Sequence, residues 1–122
     1  MAVVLVVEDE WLVRMEIAEA LDEAGWSVVE AASGEAALAF LGERTPIDLV
    51  VTDIRLPGKL TGWDVAEAFR AANKAVAIIY CSGNPGNSAR RVPDSVFLSK
   101  PCHMDFLVAE GERLCPGLFA SQ

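Results

Sequence analysis

Leu49, Val50 and Val51 lead through Thr52 straight into Asp53, and Leu56, Pro57 and Gly58 then turn the chain. A short run that is apolar at every position predicts a strand buried on both faces, as in a parallel sheet packed between helices. The carboxyl end of such a strand is where open α/β sheets gather their chemistry. Asp53 is therefore a functional acid in search of partners. The rest of the chain must supply further buried strands, alternating with helices, if that placement is right.

It does so in order. Residues 2–7 form a second apolar, β-branched run, and it too ends on acids, Glu8, Asp9 and Glu10. From Trp11 the spacing turns helical, with Val13, Ile17, Leu21 and Ala24 on one face and Gly25 as the stop. Residues 26–30 read as a strand. Ser33 then caps a helix through Leu41, with Ala37, Leu38 and Leu41 turned inward. Thr45 and Pro46 break the chain before the strand over residues 47–52. Thr61 caps the next helix, whose stripe is Val65, Ala66, Phe69 and Ala72, and residues 75–81 form a buried strand ending on Ser82, Gly83 and Asn84. Residues 85–93 mix Gly, Pro, Asn, Ser and two Arg, a composition that argues against a full helix. A short strand over 95–98, then Ser99, Lys100 and Pro101, and a helix over 104–114 complete the pattern. Five strands alternating with helices predict an α/β fold with a doubly wound, mainly parallel sheet. Residues 1–116 are expected to form one domain and 117–122 a loose C-terminal tail.

A hydrophobic fraction of 52% over 122 residues fits a sheet covered on both faces. Eighteen acidic against ten basic residues give a net charge of -8, which disfavours binding to nucleic acid or to an anionic membrane and favours a cation or a basic partner. No apolar run approaches the roughly 20 residues of a membrane span, and no basic segment opens a signal peptide, so a cytoplasmic location is expected. Cys81, Cys102 and Cys115 are odd in number and lack CxxC spacing. They predict neither a disulfide framework nor a zinc site, but thiols in a reducing compartment. Trp11, Trp26 and Trp63 are expected to be half-buried packing residues, and His103 a surface residue at a helix start.

In a parallel sheet the strand carboxyl ends share one edge, which here collects Glu8, Asp9, Asp53, Ser82 and Lys100. Three carboxylates in one place repel each other unless a cation intervenes. Oxygen-only ligands favour Mg2+ over zinc, with Mn2+ able to take its place. With that cation and a lysine present, the set suits phosphoryl transfer. Asp53 is a nucleophile needing no deprotonation, while Lys100 and the Ser82 hydroxyl neutralise the phosphoryl oxygens.

These residues, in this order and over nearly the whole chain, resemble the response-regulator receiver domain of two-component signalling. The resemblance implies a flavodoxin-like sheet of five parallel strands in the order 2-1-3-4-5, with a short or irregular fourth helix. It implies phosphorylation of Asp53 by a histidine kinase or a histidine phosphotransfer protein. Mg2+ would be held by Asp53, by Asp9, through water by Glu8, and by the backbone carbonyl of Arg55. It further implies a cis Lys100–Pro101 bond and a switch in which the Ser82 hydroxyl and the aromatic Phe97 move together. The pattern departs in Glu8, where the family more often has Asp, and in a Pro57-to-Gly62 loop one residue longer than usual. Phe97 replaces the commoner Tyr, and the stretch from Ser82 to Lys100 is shortened. Arg55 and Asn84 stand where the family tunes phosphoryl lifetime.

The expected protein is a stand-alone switch that is no enzyme beyond the phosphorylation and dephosphorylation of its own Asp53. It signals through an output protein the sequence does not identify, as a monomer or a phosphorylation-dependent dimer. Two alternatives stand beside it. One is a degenerate receiver serving as a protein-interaction module, and the other a haloacid-dehalogenase-like phosphatase, whose motif needs a second Asp where this chain has Arg55.

Overall fold

The computed structural model describes residues 2–43, 46–83 and 88–118. Its elements are β1 (Val3–Val7), α1 (Trp11–Glu23), β2 (Ser27–Ala31), α2 (Gly34–Leu38), β3 (Leu49–Thr52), α3 (Gly62–Ala72), β4 (Ala77–Ser82), β5 (Val96–Ser99) and α4 (Met104–Leu114). Among the described residues the five strands form one sheet in the order β2-β1-β3-β4-β5, parallel at every pairing. This is the flavodoxin-like order, with each crossover carried over a sheet face.

The sheet separates two apolar cores. Leu5, Val50, Ile78 and Tyr80 point to one face, where α2 and α3 cover them with Ala37, Val65, Ala66 and Phe69. Val4, Val6, Val51 and Ile79 point to the other, under Ile17 and Leu21 of α1 and Leu107 of α4. The strands are apolar at consecutive positions because both alternating sets are buried.

Local sequence sets the joints between these layers. Gly25 takes φ 102°, a conformation glycine adopts without a side-chain clash. It ends α1 in a Schellman turn, with Gly25 N donating to the Asp22 carbonyl (3.0 Å) and Trp26 N to that of Leu21 (3.0 Å). Trp26 is thereby thrown into the core beside Leu21. Thr61 caps α3 through a reciprocal box with Asp64.

Several sequence expectations need correction. The helix after Ser33 stays α-helical only to Leu38 and tightens into a 3-10 turn over Ala39–Gly42. The tighter winding carries Leu41 off the buried face, and it is exposed. Ala72 is likewise exposed at the end of α3. Of the tryptophans, Trp26 and Trp63 are fully buried, whereas Trp11 is 60% exposed. Trp11 lies about 120° around α1 from Ile17 and so misses the stripe that packs. Between β4 and β5 the described residues hold a single 3-10 turn, Ser88–Arg90, where a fourth crossover helix would be expected in a regular alternation. Residues 85–87 of that stretch, and Asn84 before it, lie outside the described residues. Of the expected tail, Gly117 and Leu118 belong to the 3-10 turn Pro116–Leu118, with Leu118 packed on the core; 119–122 lie outside the described residues.

Candidate functional site

Four strands deliver the site. The β1–β3 pairing sets Val7 beside Thr52, so Glu8 and Asp9 leave one strand next to where Asp53 leaves the other. The β4–β5 pairing sets Ser82 beside Ser99, and Lys100 N donates to the Ser82 carbonyl at 2.9 Å. Both ends open on a cleft of about 400 Å3 lined by Asp9, Glu10, Asp53, Arg55, Ser82, Gly83 and Lys100.

At its centre the Lys100 ammonium bridges two carboxylates, 2.7 Å from Glu8 Oε1 and 2.9 Å from Asp53 Oδ2. Glu8 is 2% exposed, which for an acid demands such a partner. Burial pushes the Glu8 carboxyl above its ordinary value; the hydrogen bonds from Lys100 and from the Glu10 backbone N–H work against that push, and the nearby Asp53 charge adds to it. For Lys100, burial works against the charge, but the hydrogen bonds to Asp53 and Glu8 outweigh it and hold the ammonium above its usual range. The other Asp53 oxygen, Oδ1, accepts from Ile54 N at 2.6 Å. Arg14 braces the end of β1 by donating to the Glu8 carbonyl (2.8 Å) while pairing with Glu30.

Glu8, Asp9 and Asp53 each offer an oxygen within 4.8 Å of the others, a metal-ligating group among the described residues. The donors are all carboxylate oxygens, a set that suits a hard divalent cation such as Mg2+ and gives a softer metal neither nitrogen nor sulfur. Arg55 lies on the cleft rim, where its backbone carbonyl could complete the set.

The remaining predicted residues fall around this centre. Ser82 is buried at the mouth of β4. The Lys100–Pro101 bond is cis. Phe97 is half-buried on the α3 side, stacked on Trp63 (ring centroids 6.4 Å apart) and close to Tyr80 (6.2 Å). The Tyr80 hydroxyl accepts from Val92 N (3.2 Å), so this aromatic group reaches the described residues between β4 and β5. That segment is held from α3 as well: Arg90 pairs with Asp64 (2.9 Å) and Glu67 (2.7 Å), and Arg70 donates to the Pro93 carbonyl.

Two features were not legible in the sequence as site residues. Gly62 opens α3 against the backbone at Asp53: its N–H donates to the Ile54 carbonyl (2.8 Å), and a Cβ there would lie 1.9 Å from the Asp53 carbonyl oxygen. A glycine one residue after a cap was the available signal. The second is a correction: Cys81 and Cys102, expected to be free thiols, are joined by a disulfide, with Cα atoms 6.8 Å apart. Their separation of 21 residues carries no motif; only the β4–β5 register brings them together. Cys115 is the remaining thiol, and burial, helped by the Asp48 charge, pushes it up to about 11.

Comparison with known proteins agrees with this geometry. The family model for the response regulator receiver domain matches residues 4–111. The chain is 32% identical to the response regulator receiver protein CpdR of Brucella abortus, covering 91% of this chain and 94% of that one. Other curated relatives are longer, and the chain spans 11% and 52% of the length of two of them. Among solved structures, a response regulator receiver protein from Sinorhizobium medicae superposes with a TM-score of 0.90 at 32% identity, covering 94% of each chain. The response regulator TrrA of Thermotoga maritima, solved in complex with Mg(2+)-BeF, gives 0.77 at 31% identity over 93% of this chain and 99% of that one. A sheet in receiver order, three acids and a lysine meeting at its edge, and a family match over most of its length have one reading: this chain belongs to the response regulator receiver domain family.

Proposed function

We propose that the protein is a phosphorylation-dependent signalling switch in which Asp53 takes a phosphoryl group from the phosphohistidine of a histidine kinase or a histidine phosphotransfer protein. The observation that carries this is the meeting of Glu8, Asp9 and Asp53 within 4.8 Å, with Lys100 bridging two of them. An Asp53 oxygen attacks phosphorus, the P–N bond breaks, an acyl phosphate forms, and the imidazole leaves with its electron pair. Lys100 shifts from bridging carboxylates to holding a phosphoryl oxygen, and the Ser82 hydroxyl on the neighbouring strand holds another. Asp9, Asp53, the Arg55 carbonyl and, through water, Glu8 would hold Mg2+, which when bound would neutralise charge on the phosphoryl group. Phe97, Trp63 and Tyr80 carry the change in the site to the segment after β4, and so to an output protein.

The protein catalyses nothing beyond the phosphorylation and hydrolysis of its own Asp53. Among the described residues no helix is long and apolar enough to cross a membrane, and a cytoplasmic location fits this role. The phosphatase alternative is not favoured, because Arg55 stands where that motif needs an acid, nor is a degenerate module, because the acids and Lys100 are all in place. Incubation with a small phosphodonor and Mg2+ should add one phosphate by mass spectrometry, and Asp53→Asn should abolish it. Undiminished labelling of that variant, or none of the wild type, refutes the reading.

A further inference from the structure

The disulfide sits where phosphoryl chemistry would feel it. Cys81 immediately precedes Ser82 on β4, and Cys102 follows Lys100 by two residues on the far side of the cleft wall. In the reduced chain the spacing of the two phosphoryl-binding groups depends on β4–β5 pairing, which ends at the Lys100 N–Ser82 O hydrogen bond. A covalent bond between their neighbours fixes that spacing along a second line. We propose that Cys81 and Cys102 form a reversible redox site beside the phosphoacceptor cleft, and that closing it slows phosphoryl acceptance at Asp53. The gating half of this rests on the phosphoacceptor reading of Asp53 above.

The direction follows from where Lys100 now points. It is engaged by Glu8 and Asp53 together, and to take up a phosphoryl oxygen it must give up part of that bridge. A shift of the 99–102 segment relative to Ser82 would widen the room for that exchange. The disulfide opposes such a movement, whereas two thiols permit it.

Access favours reversibility. Cys81 is 2% exposed, but Cys102 is half-buried and lines a separate open cleft of about 340 Å3 beside Val13, Ile17 and Met104 of the helical face. A small reagent therefore reaches the bond at Cys102. In a reducing compartment, disulfides that do form are mostly transient and redox-sensing. Closing the site needs a peroxide: Cys102 is oxidised to a sulfenic acid as the O–O bond breaks and one water leaves. The Cys81 thiol then attacks that sulfur and expels a second water. The two thiols together lose two electrons and two protons. Opening it needs two equivalents of a small thiol: the first forms a mixed disulfide on Cys102 and frees Cys81, and the second frees Cys102 and leaves as the reagent's own disulfide.

The test uses the full chain treated with hydrogen peroxide or with dithiothreitol, then desalted. Alkylation under denaturing conditions, read by mass, should modify Cys115 alone after peroxide and all three cysteines after dithiothreitol. Labelling by acetyl phosphate with Mg2+ should be slower in the oxidised form by about fivefold or more. Cys102→Ala should label at the reduced wild-type rate after either treatment. Thiols that survive peroxide, equal rates for oxidised and reduced wild type, or the same slowing in Cys102→Ala would each overturn the proposal. If neither form is labelled, the reading of Asp53 fails and the gating with it, while the alkylation count still decides whether the redox pair exists.

Discussion

Gly62 shows how little room the site leaves at single positions. Its Cα packs on the Asp53 carbonyl so closely that any side chain must push the α3 start and the Asp53 backbone apart. Neither is a flexible side-chain end that could swing aside. Gly62→Ala should therefore cost about 3 kcal/mol, the upper range for overpacking a tight site, read from the midpoint of urea unfolding. A loss under about 1 kcal/mol would mean the turn yields instead. Residues at this scale were unequally legible. Asp53 stands out because it ends an apolar run, and Lys100 because Pro101 follows it and it comes last in the order of motifs, patterns visible along the chain. The steric need for Gly62 and the meeting of Cys81 with Cys102 arise between segments remote in sequence, so nothing local announces them.

Among the elements, α3 supports both the site and the 3-10 turn Ser88–Arg90 between β4 and β5. Its capping box joins Thr61 to Asp64, and the same Asp64 carboxylate takes the Arg90 guanidinium. The Thr61 backbone hydrogen bond, then Arg90, hold the Asp64 carboxyl below its ordinary value. A carboxyl lowered in the folded state contributes stability that is complete above its unfolded value, about 4, and is lost as pH falls through the folded value. Asp64→Ala should accordingly lower stability by about 1 kcal/mol at neutral pH. The gap from wild type should close progressively below about pH 4, as Asp64 is protonated. Thermal melts of both proteins across that range check this; a gap independent of pH would assign the loss to packing alone. The cap itself was readable from Thr61 before an apolar stripe. Its link to Arg90 was not, because the separation of 26 residues from Asp64 to Arg90 is bridged only once β3, β4 and β5 lie side by side. The 3-10 winding after α2 was equally hidden, since Ala, Phe and Leu favour neither winding over the other strongly enough to mark the change.

For the molecule as a whole, strand order and layering were readable because buried parallel strands leave long apolar runs, and two sets of alternating residues need two covers. The division into two cores makes a further expectation definite. Phe69 belongs to one and Leu107 to the other, with the sheet between them. Phe69→Leu and Leu107→Val should each destabilise, and the double variant should lose the sum within about 0.5 kcal/mol. A larger departure, measured by the same urea unfolding, would show that strain crosses the sheet. If the costs do add, the partition has a consequence for descent. One side carries Phe97, Trp63 and Tyr80, and the other carries α1 and α4; lineages could diversify either without renegotiating the other, while the acids and Lys100 on the shared rim would stay common to every variant.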